Sequence, residues 1–534
     1  MNKNKYTKGN CTSFTSERQL VLPLDYEILL SEDSPVRLLD DMLERLDYTE
    51  LNRLYSPYGR KSKLPPQDML KIVIYAMLEG TYSLRGIQHQ CKVNIEYMWF
   101  LQGRPTSSHM AIGRFFKRVP VEVWEDIFAQ LVHAIGEMDA LPLQEVYIDG
   151  TKLEASANRY TFVWKKSVVK NRARLMEKID ALKERCLSDG YGDADTSIEG
   201  LTKLLEEECK KQGVQMVSGK GHHKQPLQRL TEESRGYRDK LQEYDNKLEI
   251  LGERNSYSKT DPTATFMRMK EDHMKNGQLK SAYNLQIAVE SEYVVAAKLF
   301  PNPTDTRTLC PFLEHIEHLL GSKPRYVVAD AGYGSEQNLD WLKQNGQLSV
   351  IKDRDYEVRK TKKHKNKIGL AANMRYDEEN DTYTCAKGRR LTFQYVSHYK
   401  RFDGYVQEGR VYSCEKCSYC GFRSQCQPSR NGKKPKQNKH LVVYRKYQEL
   451  QEENSKRFLS PDGIRMRVNR SIQVEGTFGQ IKEDYRYRRF LRRGAEDVYK
   501  ELLAVLMGFN IRKLHSRMTE GCVGKRFLTE EVAG

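Results

Sequence analysis

No stretch of about 18 apolar residues occurs in this chain, so no segment reads as a membrane-spanning helix. The opening MNKNKYTKGN is basic with no apolar run behind it, and does not read as a signal peptide. Acidic residues are outnumbered: 72 Asp and Glu stand against 89 Lys and Arg, leaving a net charge of +17. That excess attracts polyanions, nucleic acid being the commonest, although a ribosome-associated or simply basic protein carries the same signal. Eleven cysteines, an odd number, do not pair into a secreted disulfide framework. With 39% hydrophobic and 30% charged residues in 534, the chain reads as soluble and globular, with length for roughly three or four domains.

What is present begins as helix. Residues 1–34 are polar, with one extended piece at Gln19–Pro23. Pro35 fits a helix start, followed by Val36, Leu39, Met42, Leu43 and Leu46 at helical spacing. Pro65-Pro66 opens a second helix that Gly80 ends. Residues 107–118, with Arg114, form a basic helix after a turn. That order suits a major-groove reader, and equally a plain bundle with solvated cations. Residues 1–140 are therefore read as a helical N-terminal domain.

Residues 145–153 read as a strand. Residues 161–259 are rich in Lys, Arg and Glu, with leucines such as Leu175, Leu182, Leu201, Leu204 and Leu205 at spacings of about three and four. They form a coiled-coil-like helical insertion, broken at Gly190-Tyr191-Gly192 and near Gly219–Gly221. Residues 282–289 and 293–299 read as a hairpin; a helix after Asp305, a strand ending at Asp330, a helix at 336–345 and a strand at 348–351 follow. This is the element order of an RNase H-like core: an α/β mixed sheet with flanking helices, built from 141–160, 260–352 and 466–516. Residues 353–465, basic and Cys-containing, interrupt it.

Within that order the first and fourth strands are neighbours, so Asp149 and Asp330 meet at adjacent strand ends. Glu475 borders the helical stripe Val474, Phe478 and Ile481. Two strand-end Asp and a helical Glu can hold two Mg²⁺ (or Mn²⁺) ions roughly 3.5–4 Å apart, the arrangement of in-line phosphoryl transfer. Taken singly, each acid has a plainer reading as a turn, a loop or a solvated side chain. Asp305 is a rival acid that reads as a helix N-cap. Lys482, two turns after Glu475, can reach a phosphate.

Cys414-x-x-Cys417-x-x-Cys420-x5-Cys426 has spacing suited to one structural Zn²⁺, with Cys385 able to replace one ligand; reduced thiols and an iron–sulfur cluster are the alternatives. The segment Tyr485–Arg493 interleaves aromatics with Arg488, Arg489 and Arg492, a pattern in which rings stack on bases and arginines hold phosphates.

Three strings together resemble the DDE transposases of bacterial insertion sequences: Tyr147–Thr151, Val328–Tyr333 and Glu475–Lys482. Leu64–Leu70 through Arg114-Phe115 resembles the helical DNA-binding region that precedes that core. The resemblance covers most of 35–515. It implies Asp149, Asp330 and Glu475 as catalytic metal ligands, and Lys482 as a DNA contact. It also implies cleavage at element ends followed by strand transfer, a homodimer on DNA, and a place in the bacterial cytoplasm. A nuclease of the same fold without strand transfer, or an inactive DNA-binding derivative, are the alternatives. The family also carries Tyr and Arg seven and four residues before the Glu. Here Val468 and Ser471 stand there, with Arg467 and Arg470 one residue away, and one residue is about 100° of helix.

Overall fold

A computed structural model describes residues 26–525 apart from 57, 59–61, 63, 194, 219–222, 270–276, 402–403 and 430–437. The extended piece at Gln19–Pro23 and the glycine break at 219–221 lie outside the described residues. Helix Pro35–Glu44 begins as expected, with Pro35 in its first turn and Ser34 Oγ accepting from the Val36 amide (3.4 Å). Helix Pro66–Leu78 is buried from Met69 onward, and helix Ala495–Thr519 packs against it. Gly508 permits that approach: a Cβ there would stand 2.7 Å from the Leu78 amide nitrogen.

Among the described residues, eight strands precede the Cys-containing segment: β1 (Glu145–Glu154), β2 (Phe162–Trp164), β3 (Ser256–Ser258), β4 (Thr265–Arg268), β5 (Leu279–Glu290), β6 (Tyr293–Phe300), β7 (Tyr326–Ala329) and β8 (Leu348–Ile351). β2 and β3 pair by themselves. The other six form a mixed sheet of order β4-β5-β1-β7-β8, with β6 also on β5. β1 is antiparallel to β5 and parallel to β7. The β5–β6 hairpin turns at Ser291 and Glu292, both with positive φ (51° and 68°), as a tight hairpin turn of matching twist requires. The N-terminal helices, this sheet and the C-terminal helices share one continuous apolar core. Helix Arg445–Phe458 joins it and covers β8, where the Asn454 amide bonds both the N–H (3.0 Å) and the C=O (2.7 Å) of Ile351.

The helical insertion consists of Lys165–Ser188, Ile198–Lys211 and Pro226–Leu251 around a separate core that includes Leu175, Leu182, Leu201 and Leu205. Leu204, expected in that stripe, is instead exposed, because its neighbour Leu205 takes the inward position. Residues 375–443 carry a second sheet, antiparallel throughout: β9 (Arg375–Asp377), β10 (Thr382–Thr384), β11 (Arg390–Lys400), β12 (Val406–Cys414) and β13 (His440–Val443). Its core is small, built on Met374, Tyr383, Leu391, Tyr412, Leu441 and Val443.

Candidate active site

The parallel register of β1 and β7 ends with Ile148 opposite Ala329. The next residue on each chain is the acid, so register alone brings Asp149 and Asp330 side by side. Asp149 is half-buried, its Oδ1 accepting from the Gly150 amide (2.8 Å), and Asp330 is exposed. Gly150 pairs with Gln286, whose Nε2 would lie 2.1 Å from a Cβ at Gly150; glycine lets that amide cross the strand.

Behind the Asp pair lies a polar network that sequence reasoning missed. Asp305 Oδ1 accepts from Asn284 Nδ2 (2.8 Å) and Gln286 Nε2 (2.9 Å), and Gln286 Oε1 accepts from the Tyr333 hydroxyl. Burial raises the Tyr333 hydroxyl well above its ordinary range, and the charges of Asp305, Asp149 and Asp330 add to that. The phenol is thus a neutral donor among three carboxylates. Asp305 is not the expected N-cap: it sits in a 3₁₀ turn, and the following helix Leu309–Leu320 is preceded by Thr308, without a side-chain cap bond. The available signal was Asn284 and Gln286, two amides alternating on one face of the otherwise apolar stretch Ala282–Val289. Arg354 ties the turn after Asp330 to the Asp305 loop, donating to Ala331 O (3.3 Å), Gly332 O (3.2 Å) and Thr306 Oγ1 (3.1 Å).

Glu475 stands on one long helical run: Pro461–Arg470, a π turn at Ser471–Glu475, an α turn at Gly476–Gly479 and a second π turn at Gln480–Asp484. Val474, Phe478 and Ile481 are buried as the stripe predicts, while the Glu475 side chain is exposed. The first π turn removes the phase problem. An α-helix aligns residues three or four apart; a π turn bonds i to i+5 and brings a residue five earlier onto the same face. Arg470 therefore faces the acids, its Nη1 3.6 Å from Asp149 Oδ2 and its Nη2 3.7 Å from Glu475 Oε1. Arg467 does not; its guanidinium lies 4.4 Å over the Phe458 ring. Among the described residues no three His, Cys, Asp or Glu donors are gathered as ligands of one metal ion, so Asp149 and Glu475 are linked here through Arg470.

The basic aromatic segment divides between core and surface. Tyr487 and Phe490 are buried, and Tyr485 packs on Phe509 while its carbonyl accepts from the Tyr82 hydroxyl (2.7 Å). The Tyr487 and Phe490 rings are core, closed to stacking on a base, whereas Tyr485 is half-buried. Arg492 is packed 3.5 Å over the Phe116 ring, and Arg489 donates to the carbonyls of Ala155 (3.3 Å) and Ala157 (3.2 Å). Arg488 is exposed and paired with Glu483. Lys482 is buried, its carbonyl accepting from Arg488 Nε (3.2 Å). Arg114 is exposed and lines a groove of about 1340 Å³ with Lys92 and Arg118 on the N-terminal helices.

Cys385, Cys414, Cys417, Cys420 and Cys426 line one small cavity of about 30 Å³, and all five thiols are free.

Residues 24–118 match the family described as Transposase domain (DUF772), and residues 384–515 match the Transposase DDE domain. Transposase-family models thus match both the N-terminal and the C-terminal regions of the chain. The DDE-domain match contains Glu475, Arg470 and the five cysteines, while Asp149 and Asp330 lie in the stretch between the matches. No curated protein and no solved structure matches the chain. No helix among the described residues is long and apolar enough to cross a membrane.

Proposed function

We propose that this transposase-family chain cuts DNA at the ends of an insertion sequence and transfers the freed strand into target DNA, using Asp149, Asp330 and Glu475 on an RNase H-like sheet. The observation that carries this reading is Arg470, whose guanidinium lies between Asp149 and Glu475 beside a strand register that sets Asp330 next to Asp149. Three carboxylates offer hard oxygen donors suited to Mg²⁺ or Mn²⁺. Arg470 Nη1, buried and without a hydrogen-bond partner, stands in for the positive charge such a site takes. The three acids would hold the ions, which when bound lower the pKa of the attacking hydroxyl and stabilise the leaving oxygen. The remaining work belongs to the protein. Arg470 neutralises the scissile phosphate. Asp305, Gln286 and Tyr333 hold the Asp-bearing strand ends in place, and Arg114 with its groove binds duplex DNA. Joining two element ends calls for two copies, a homodimer on DNA.

The test uses purified protein, a duplex carrying an element end with its flank, supercoiled plasmid and Mg²⁺. Nicked and joined products are expected. Asp330→Ala should bind the duplex as before and lose cutting by roughly 10³-fold or more, the scale on which one preorganised charged group acts. Unchanged cutting by Asp330→Ala would refute the site, and cutting that never yields joined product would assign a nuclease instead.

A further inference from the structure

We infer that Cys385, Cys417, Cys420 and Cys426 bind one Zn²⁺ that clips the end of the small sheet, and that Cys414 is not a ligand. This is independent of the DNA chemistry proposed above. The sequence spacing alone favours Cys414, Cys417, Cys420 and Cys426; the sheet changes that set. The turn between β10 and β11 is closed by the Cys385 N–H on Arg389 O (2.9 Å) and the Gly388 N–H on Cys385 O (2.8 Å), with Gly388 at φ 78°. β11 leads from this turn with Leu391 opposite Cys414, so Cys385 arrives at the sheet end where the other cysteines lie.

Cys414 lies on the sheet side of the cluster, against Cys417 and Cys385. It is the last residue of β12, 2% exposed within the apolar core, with its Sγ directed at Lys416 O (3.8 Å). The neighbouring thiols that bear most on Cys426 are Cys417, Cys385 and Cys420. Those four, with Cys414 at its wall, line a cavity of about 30 Å³, room for a single water or ion. Cys417 Sγ also accepts the Lys439 N–H (3.3 Å), the kind of outer contact that orients a metal-bound sulfur.

Charge supports the assignment. Four thiols that bind Zn²⁺ form four Zn–S bonds and release four protons, leaving a net charge of −2. The cavity wall carries Lys387, Arg389, Lys416, Arg423 and Lys439, cations that suit a dianionic centre and not a set of neutral thiols. Among the described residues the sulfurs are not gathered at ligand distance, and Zn–S bonds of about 2.3 Å require them to close in.

The full-length protein, purified without chelator, should release about one zinc per chain to a chromogenic chelator after mercurial treatment. C414S should keep that zinc, and C385S, C417S, C420S and C426S should each lose at least ten-fold in metal affinity. Because losing a ligand could unfold the small sheet, C385H supplies a second reading. Loaded with Co²⁺, it should retain the metal with a spectrum altered from the four-sulfur absorption of the wild type. A wild type that takes up neither Zn²⁺ nor Co²⁺, or that holds iron, overturns the site. Zinc lost in C414S but kept in C385S, or an unchanged four-sulfur spectrum in C385H, overturns the ligand set.

Discussion

Strand β5 of the six-stranded sheet is buried from Ser281 to Glu290, whereas β11 of the five-stranded sheet buries Leu391 and leaves most of its length partly or fully in solvent. The larger sheet lies inside the core that runs from the N-terminal helices to the C-terminal one; the smaller rests on a short list of apolar side chains. A sheet with parallel strands covered on both faces takes its stability from non-local burial. A small sheet with one wet face lacks that area and relies on local staples, whether polar clusters or a metal. The carboxylate site is correspondingly a product of register in a rigid frame, while the cysteine site is itself a candidate staple.

The sharpest way to break this contrast is to truncate one core residue in each sheet. Ile148→Ala should cost about 2–5 kcal/mol and lower the unfolding midpoint of the helices and the large sheet together. Leu391→Ala should cost a similar local amount and accelerate amide exchange in β9–β13 only. Hydrogen exchange resolved by segment would check both, and a global response to Leu391→Ala would erase the distinction.

The two sheets should also respond oppositely to pH. In the large sheet Glu290 is buried, its Oε1 accepting from the amides of Gln144 (3.2 Å) and Glu145 (3.1 Å) while Oε2 has no partner. Burial pushes its carboxyl up from 4.5 to about 7. The folded protein therefore binds this proton more tightly than the unfolded chain. The contribution is full below about 4.5 and is lost as pH rises through 7, up to about 3 kcal/mol. Glu290→Gln should flatten the fall in Tm between pH 5 and pH 8; an identical fall would remove Glu290 as its cause.

Asp381 gives the smaller sheet the opposite dependence. Burial opposes its charge, but hydrogen bonds from Tyr412 (2.7 Å), Tyr376 (2.8 Å) and Arg410 (2.5 Å) hold its carboxyl down, to about 2. Its contribution is present above 3.8 and lost as pH falls through about 2, about 1 kcal/mol once solvent screening is allowed for. Asp381→Asn should weaken exchange protection around β10 and β12 at pH 6 and leave it little changed near pH 2. Equal weakening at both values would show that the aspartate acts by shape and not by charge.

Much of the frame could be read along the chain, because periodicity reports burial. The strand before Asp149, the β5–β6 hairpin, the strand before Asp330 and the stripe beside Glu475 all follow from residue patterns two or three to four apart. Pattern fails where one residue type serves two environments. Tyr487, Phe490 and Arg492 have the composition of a nucleic-acid surface, yet the rings bury themselves and Arg492 stacks on Phe116. Asp305 has the position of a cap, yet amides from β5 claim it. A π turn leaves no mark in composition, so Ser471 and Arg470 exchanged their expected roles unseen.

The sequence by itself determined the elements, the basic charge, the two strand-end acids and the presence of a cysteine cluster, since these depend on local patterning and composition. The tertiary structure alone decided that Arg470 faces Glu475, that Asn284 and Gln286 claim Asp305, that Arg492 stacks on Phe116 and that Tyr487 and Phe490 are core. Each of those outcomes depends on which distant backbone lies alongside, and that is set by burial summed over the whole fold.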